Sequence, residues 1–208
     1  KDERKMPMNW MKNLPNQLTV SRIVLISVFV LLANIDASKI NFVYISPAVS
    51  HTCHVIAYII AIIAGITDWF DGYLARKYKC ESDFGRLMDP LADKIFIVAT
   101  FVMFSDYRII PAWIVVIVIA REFMVTGLRL LAISDGIVIS ADKSGKIKTA
   151  LQMFALLIAG AGWVNLFDIT QPVIWNLWYA LILIVMFVTL YSGVSYFVKN
   201  YKLFKNKF

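Results

Sequence analysis

The sequence has few of the charged residues with which a soluble domain covers its surface. Only 17% of its 208 residues are charged and 60% are hydrophobic, whereas a typical soluble domain is about a quarter charged and roughly 45–50% apolar. This composition excludes an ordinary soluble domain and predicts an integral membrane protein. The sequence also lacks internal repeats, low-complexity linkers and any sign of a second domain, so we interpret residues 1–208 as a single membrane domain.

The chain is also poor in cysteine and histidine, with two of each. Cys53 and Cys80 lie at opposite ends of the second predicted helix, too far apart for a disulfide. Neither belongs to a CxxC pair of the kind that binds zinc. A disulfide and a zinc site are therefore not expected.

What the sequence does contain is a series of long apolar runs. A helix needs about 20 mostly apolar residues to cross a bilayer. The third run is short unless the polar stretch before it belongs to the same helix, which we expect. The pattern predicts an all-α integral membrane fold with six transmembrane helices. The six predicted spans are roughly Leu18–Asn34, His54–Trp69, Leu91–Phe104, Pro111–Ile133, Ala150–Phe167 and Val173–Val198.

The distribution of basic residues predicts the orientation of these spans. Of 21 lysines and arginines, only Lys39 and Arg108 fall on the side of the odd-numbered connections, which leaves 21 − 2 = 19 on the other side. Both termini are therefore predicted to be cytoplasmic, with residues 1–16 forming an interfacial segment and residues 199–208 a basic tail. The net charge of +7 reflects this bias and suits anionic lipid headgroups, and no nucleic-acid surface is evident.

Acidic residues interrupt the apolar pattern where the second span ends and the third begins, in the stretch TDWFDGYLARKYKCESDFGRLMDPLADK, and four of its five aspartates have helical spacing. In a helix Asp68 and Asp71 share one face, and Asp89 and Asp93 share another. If the two helices are antiparallel neighbours, the four carboxylates converge, and their mutual repulsion requires cations. Two divalent ions would balance the four charges, and an all-oxygen ligand set favours Mg²⁺ or Mn²⁺.

A simpler alternative places these acids in a solvated loop at the membrane surface, where they pair with nearby cations. Arg76, Arg86 and Lys94 are available for such pairs. Gly72 and Ala75 favour the metal site, because small residues leave room for a ligand to approach the backbone.

The spacing of these residues resembles the signature of the CDP-alcohol phosphotransferase family. The resemblance implies a dimeric six-helix membrane enzyme with two metal ions at the cytoplasmic interface, which transfers a phosphatidyl or similar group from a CDP-linked donor to an alcohol and releases CMP. Every fixed position of the signature is filled: Asp68-x-x-Asp71-Gly72-x-x-Ala75-Arg76, eight residues, then Gly85-x-x-x-Asp89-x-x-x-Asp93.

The resemblance also implies a role for each signature residue. Asp68, Asp71 and Asp89 would be the principal metal ligands, and Asp93 would be a further ligand and the general base, although the sequence does not show which acid is the base. Arg76 could contact the donor's phosphate or hold a carboxylate. Two polar residues of the segment NLPNQLTVSR also resemble the family, with helix capping as the alternative. The residues expected near the CDP group are Gly72, Ala75, Arg76, Gly85, Asn16 and Thr19.

The fourth and fifth spans carry cations that could bind a phosphorylated acceptor. Arg121 and Arg129 lie within an apolar run, and Lys146 lies at the start of the next span. A charged residue inside a span costs roughly 2.5–3.5 kcal/mol on insertion scales, so a functional role is the first interpretation. These three cations could converge above the metal site and bind a phosphate, which arginine contacts through two parallel hydrogen bonds.

Several basic residues of these two spans also have a structural alternative. Arg121 could form an internal ion pair with Glu122, and Arg129 could extend to the lipid headgroups. Lys143 and Lys148 could be ordinary anchors on the cytoplasmic side.

The segments AREFMVTGLR and GKIKT resemble one branch of the family, the bacterial phosphatidylglycerophosphate synthases. This branch implies CDP-diacylglycerol as donor, sn-glycerol 3-phosphate as acceptor, and a multi-pass protein of the cytoplasmic membrane whose site faces the cytoplasm. Two other functions stay open: a related transferase that uses another phosphorylated alcohol, such as inositol phosphate, and a cation transporter with acids along its ion path.

Overall fold

The protein is helical throughout the part of the chain that the structure describes. A computed structural model gives the backbone of residues 9–36, 45–78, 83–134 and 143–205, and the side chains of residues 20–36, 45–67, 94–132 and 144–201. No strand occurs within these ranges, which confirms the predicted all-α class. The six helices are α1 (Asn9–Ala33), α2 (Pro47–Tyr78), α3 (Asp83–Asp106), α4 (Ala112–Ser134), α5 (Lys143–Trp163) and α6 (Pro172–Lys205).

Two of these helices are long and apolar enough to cross a membrane. By length and composition, the candidates among the described residues are Pro47–Thr67 in α2 and Pro172–Tyr201 in α6, and Val20–Ala33 in α1 is a shorter apolar segment. These two helices support the membrane character predicted from the composition. The number of spans stays a prediction.

Helices α2 and α3 both contain polar residues at the ends that are joined by residues 79–82. The 32 residues of α2 extend over about 48 Å, more than the roughly 30 Å of a hydrocarbon core. Helix α3 begins at Asp83, so the polar stretch before Leu91 belongs to the same helix as the third apolar run. This expectation of the sequence is confirmed.

Two helices begin before the apolar spans predicted for them. Helix α1 begins at Asn9, ahead of the predicted span Leu18–Asn34. Helix α5 begins at Lys143, ahead of the predicted span Ala150–Phe167. In both cases a polar turn rich in residues that tolerate helix, such as Lys and Met, precedes the apolar run. The hydropathy pattern therefore marks the apolar part and misses the start of the helix.

The chain divides into two compact units, Lys1–Ala99 and Thr100–Phe208. In the first unit α1 packs against α2. Phe29 and Ala33 of α1 are buried, as are Ala57 and Ala64 of α2. The three alanines are small enough to let two helix backbones approach closely.

In the second unit α6 packs against both α4 and α5. The buried positions include apolar residues of all three helices: Ile114, Val118, Ala155, Ala159, Ile182 and Val185. The outward positions are also apolar, and Val116, Phe187 and Val194 are each more than 60% exposed. Apolar residues on both the inner and outer sides are typical of helices that contact lipid.

Helices α3 and α5 end in the same backbone motif. Arg108 and Asn165 adopt left-handed conformations, with φ of 59° and 58°. The amide of Ile109 donates to the carbonyl of Phe104 at 2.9 Å, and the amide of Arg108 donates to Ser105 at 2.9 Å. This is a Schellman cap. The indole Nε1 of Trp178 donates to the Ile109 carbonyl at 2.8 Å and so fixes the turn against α6.

Candidate functional site

The four aspartates lie in pairs on two continuous helices. Asp68 and Asp71 belong to α2, and Asp89 and Asp93 belong to α3. Spacings of three and four residues in a helix place each pair on one face. Their side chains lie outside the described residues, so the convergence of the four carboxylates stays a prediction.

By residue type the four aspartates suit a hard divalent cation, because such ions prefer carboxylate oxygens as ligands. The side chains that the structure describes contain no group of three or more His, Cys, Asp or Glu residues able to hold a metal ion. The four aspartates therefore remain the candidate ligands of this chain.

The predicted CDP-group residues also lie on helices, at positions whose side chains are outside the described residues. Asn16 and Thr19 belong to α1 and Gly85 to α3. The remaining three, which belong to α2, are Gly72, Ala75 and Arg76. Their contacts with a donor are not tested by the structure.

The second unit contains a buried ionic cluster at the meeting of α4, α5 and α6. Glu122 of α4 is only 6% exposed. Its Oε1 accepts a hydrogen bond from Nζ of Lys148 of α5, and Nη1 of Arg121 lies 3.3 Å from the same oxygen. One carboxylate therefore joins two cations. A buried charge is tolerated only when such partners compensate it.

Arg121 also contacts α6. Its Nη2 donates to Oγ of Ser192 at 2.6 Å, and the Arg121 side chain is 10% exposed. Its Nε is buried and has no hydrogen-bond partner among the described residues. The internal ion pair that the sequence offered as an alternative is therefore formed, and it uses only part of the guanidinium.

Arg129 lies two turns further along α4. Its guanidinium carbon is 6.0 Å from the centre of the Tyr196 ring, a distance compatible with a cation–π contact. Tyr196 packs with Val125 and Leu128 in a small apolar cluster. Within the described part of the chain, Nε of Arg129 and the hydroxyl of Tyr196 are both buried without a hydrogen-bond partner.

The two lysines of α5 have opposite environments. Lys148 is 2% exposed, whereas Lys146 is exposed. The structure thus brings Lys148 to Glu122 and Arg121 and leaves Lys146 at the surface. Burial contradicts the alternative in which Lys148 is an ordinary surface anchor. The signal was present in the sequence, because Lys148 shares the i, i+4, i+7 spacing of the buried Gln152 and Ala155.

The polar residues of α6 were not identified from the sequence. Nε2 of Gln152 lies 3.3 Å from Oγ1 of Thr189, whose hydroxyl donates to the carbonyl of Val185 at 2.7 Å. Thr189 and Ser192 are both fully buried or nearly so. Their three-residue spacing, followed by Tyr196 four residues later, indicates one polar stripe on an otherwise apolar helix.

Together these contacts give the second unit a buried ionic site. Among the described residues of this site, Arg121 and Lys148 carry two positive charges and Glu122 carries one negative charge, a net charge of 2 − 1 = +1, and Arg129 adds another on the same helix. An arginine with an unused, buried N–H is suited to a phosphate or carboxylate, because charge-assisted hydrogen bonds are strongest out of water.

The sequence resembles known proteins over most of its length. The family model of CDP-alcohol phosphatidyltransferase matches residues 12–191. The protein named CDP-diacylglycerol–glycerol-3-phosphate 3-phosphatidyltransferase in Bacillus subtilis is 38% identical over 201 residues, covering 94% of this chain and 98% of the relative. The protein of the same name in Rickettsia typhi is 34% identical over 192 residues, covering 90% and 96%. A probable phosphatidylglycerophosphate synthase of Mycobacterium tuberculosis is 38% identical over 144 residues, covering 69% and 64%.

Proposed function

The chain belongs to the CDP-alcohol phosphatidyltransferase family, and we propose that it transfers the phosphatidyl group of CDP-diacylglycerol to sn-glycerol 3-phosphate. The products are phosphatidylglycerol phosphate and CMP. Relatives that bear the name of this activity align with nearly the whole chain. The structural observation that carries the choice of a phosphorylated acceptor is the buried cluster of Arg121 and Lys148 around Glu122.

The reaction is a substitution at the phosphorus atom of the phosphatidyl group. A hydroxyl oxygen of the acceptor forms a bond to this phosphorus, and the bond from phosphorus to the bridging oxygen of the pyrophosphate breaks. The electron pair leaves with CMP, and the proton of the hydroxyl passes to a base. From the family resemblance we assign the base role to Asp93, whose carboxylate can accept this proton.

The aspartates of α2 and α3 would hold two divalent cations, Mg²⁺ or Mn²⁺. When bound, such cations neutralise the charge of the pyrophosphate and orient the attacking and leaving oxygens. The regular placement of the four residues on two helices supports this assignment. The proposed ligands are Asp68, Asp71, Asp89 and Asp93.

The CDP end of the donor would contact the remaining signature residues. Gly72, Ala75 and Gly85 would leave room for the nucleotide because their side chains are absent or small, and Arg76 would contact a phosphate. Two polar residues of α1, Asn16 and Thr19, complete the proposed donor site.

The phosphate of the acceptor would be bound by Arg121 and Arg129. Burial favours Lys148 as the lysine of this site, and the exposed Lys146 stays a second candidate. An acceptor without a phosphate would gain nothing from the buried N–H groups of Arg121 and Arg129 for which the described residues offer no acceptor.

We further propose a multi-pass protein of the cytoplasmic membrane with six spans, both termini on the cytoplasmic side, and a site that faces the cytoplasm. The charge bias of the connections supports this topology. A homodimer surrounded by membrane lipids is proposed from the family resemblance.

The function is tested by following CMP release from CDP-diacylglycerol with Mg²⁺ and sn-glycerol 3-phosphate. Asp93→Asn is expected to lower the rate at least about 100-fold, since a positioned acid or base contributes about 10²–10⁴-fold. Asp106→Asn, the same change at the other end of α3, is the matched control and is expected to keep the wild-type rate. A wild-type protein that releases no CMP, or an Asp93→Asn variant with full activity, would contradict the proposal.

A further inference from the structure

The guanidinium of Arg121 has some N–H donors that form hydrogen bonds and others that do not. A guanidinium carries five N–H groups in a fixed plane. Nη1 lies 3.3 and 3.4 Å from the two carboxylate oxygens of Glu122, and Nη2 donates to Ser192. Nε is buried, and the described residues offer it no acceptor. The planar edge formed by Nε and Nη2 is the one that arginine commonly uses for a phosphate.

Ser192 is the residue of α6 that fixes this orientation. Its hydroxyl lies 2.6 Å from Nη2 of Arg121, and the residue is 1% exposed. Glu122 restrains the guanidinium from its own helix, and Ser192 restrains it from the neighbouring helix. Two restraints on different nitrogens leave a planar group little freedom to rotate, so the position of the Nε edge is determined.

Gly193 provides the space that the arginine side chain needs. A Cβ atom at this position would lie 3.0 Å from Cγ of Arg121 and 3.9 Å from its Nε. Cγ lies close to the α4 backbone, so it cannot move away without displacing the guanidinium. At Gly127 of α4, by contrast, an added Cβ would have nothing within 4 Å. An alanine at position 193 would therefore force Cγ of Arg121 to shift by a few tenths of an ångström.

We propose that Ser192 and Gly193 are positioning residues, which hold Arg121 so that its Nε edge is available to the phosphate of the acceptor. The inference rests on the proposed function. A buried N–H without an acceptor is costly, and a phosphate oxygen would satisfy it. In this role α6 supplies no direct ligand and instead determines how well an arginine of α4 binds the acceptor.

The test compares two variants with two matched controls in steady-state assays of CMP release. Ser192→Ala removes the hydroxyl, and Gly193→Ala adds the methyl group that meets Arg121. Ser195→Ala on the same helix and Gly127→Ala in open space repeat the same chemical changes elsewhere. Thermal unfolding of each purified variant in detergent is measured alongside the kinetics.

Both variants are expected to raise KM for sn-glycerol 3-phosphate about tenfold, the size of effect expected for a hydrogen bond to a charged group. KM for CDP-diacylglycerol and kcat should stay within about twofold of the controls. This separation is the expected sign of positioning, because a purely structural contact between α4 and α6 would not affect one substrate selectively.

The possible failures can be told apart. If the wild-type protein does not use sn-glycerol 3-phosphate, the proposed function fails. If the wild-type protein is active and Ser192→Ala keeps its KM for this acceptor, the inference fails and the function stands. If KM rises equally for both substrates and the unfolding temperature falls, Ser192 and Gly193 form a structural contact only. That result would also overturn the inference. If Gly193→Ala does not fold, the result for Ser192→Ala decides.

Discussion

At the scale of single residues, Glu122 is the side chain on which the buried cluster depends. It is the shared partner of Lys148 and Arg121, and the three side chains come from two helices. A buried ion pair is not in itself strong evidence of stability, because desolvation offsets much of the attraction. Removing one partner is a different matter, since the remaining charge then stays in an apolar interior without compensation.

Glu122→Gln is therefore expected to destabilise the protein by about 3–5 kcal/mol, the usual cost of breaking a buried pair from one side. Unfolding in detergent micelles measures the change. The double variant Glu122→Gln with Lys148→Met should recover a substantial part of the loss, because one of the two cations that Glu122 compensates is then absent as well. Equal stability of the single variant and the wild-type protein would show that Glu122 does not compensate Lys148.

At the scale of helices, α3 and α5 end in the same type of cap, but the left-handed residue is Arg108 in α3 and Asn165 in α5. Asn165 is well suited to a left-handed conformation, whereas Arg108 is not, because only Gly and to a lesser degree Asn adopt it readily. The two positions have nearly the same φ, 58° and 59°, and both side chains are exposed. The cap of α3 thus contains strain that the cap of α5 largely avoids.

Arg108→Gly is expected to stabilise the protein by about 0.5–1 kcal/mol, the difference between relief of the left-handed strain and the greater freedom of glycine in the unfolded chain. The matched control is Asn165→Gly, for which a smaller gain is expected. Both are measured by thermal unfolding under identical conditions. A lower unfolding temperature for Arg108→Gly would mean that its side chain makes a stabilising contact at this turn.

The sequence predicts only in part which residues of a helix face the interior. The 3.6-residue period predicts that Asp68 shares a face with Asp71, whereas the sequence favours Lys146 over Lys148 for the acceptor site. Burial of Gln152 one turn after Lys148 shows which of the two faces the interior. Hydropathy ranks single residues, so it does not reveal a polar residue that is buried by partners on other helices.

At the scale of the whole molecule, the number and order of helices were predictable because long apolar runs admit few other structures. The functional site was predictable only in part, because some of its residues are recognised by their spacing and others only by their contacts. The signature positions of α2 and α3 were found from their spacing, but the polar stripe of α6 matters only through its contacts with α4 and α5. Such contacts join residues up to 71 positions apart in the sequence, and no local pattern encodes them.

The predicted topology can be tested by labelling single cysteines. In a variant that lacks Cys53 and Cys80, Arg108→Cys is expected to react with a membrane-impermeant maleimide in intact cells. Lys199→Cys should react only after the cells are permeabilised, because the basic residues of the C-terminal end favour the cytoplasmic side. The reverse pattern of labelling would contradict the orientation.

The central claim is that this chain transfers a phosphatidyl group specifically to sn-glycerol 3-phosphate. The most direct measurement is CMP release from CDP-diacylglycerol with a panel of acceptors: sn-glycerol 3-phosphate, inositol phosphate, glycerol, serine and no acceptor. We predict rapid release, together with a lipid-soluble phosphorylated product, only with sn-glycerol 3-phosphate. Equal or faster release with inositol phosphate, and none with sn-glycerol 3-phosphate, would contradict the account.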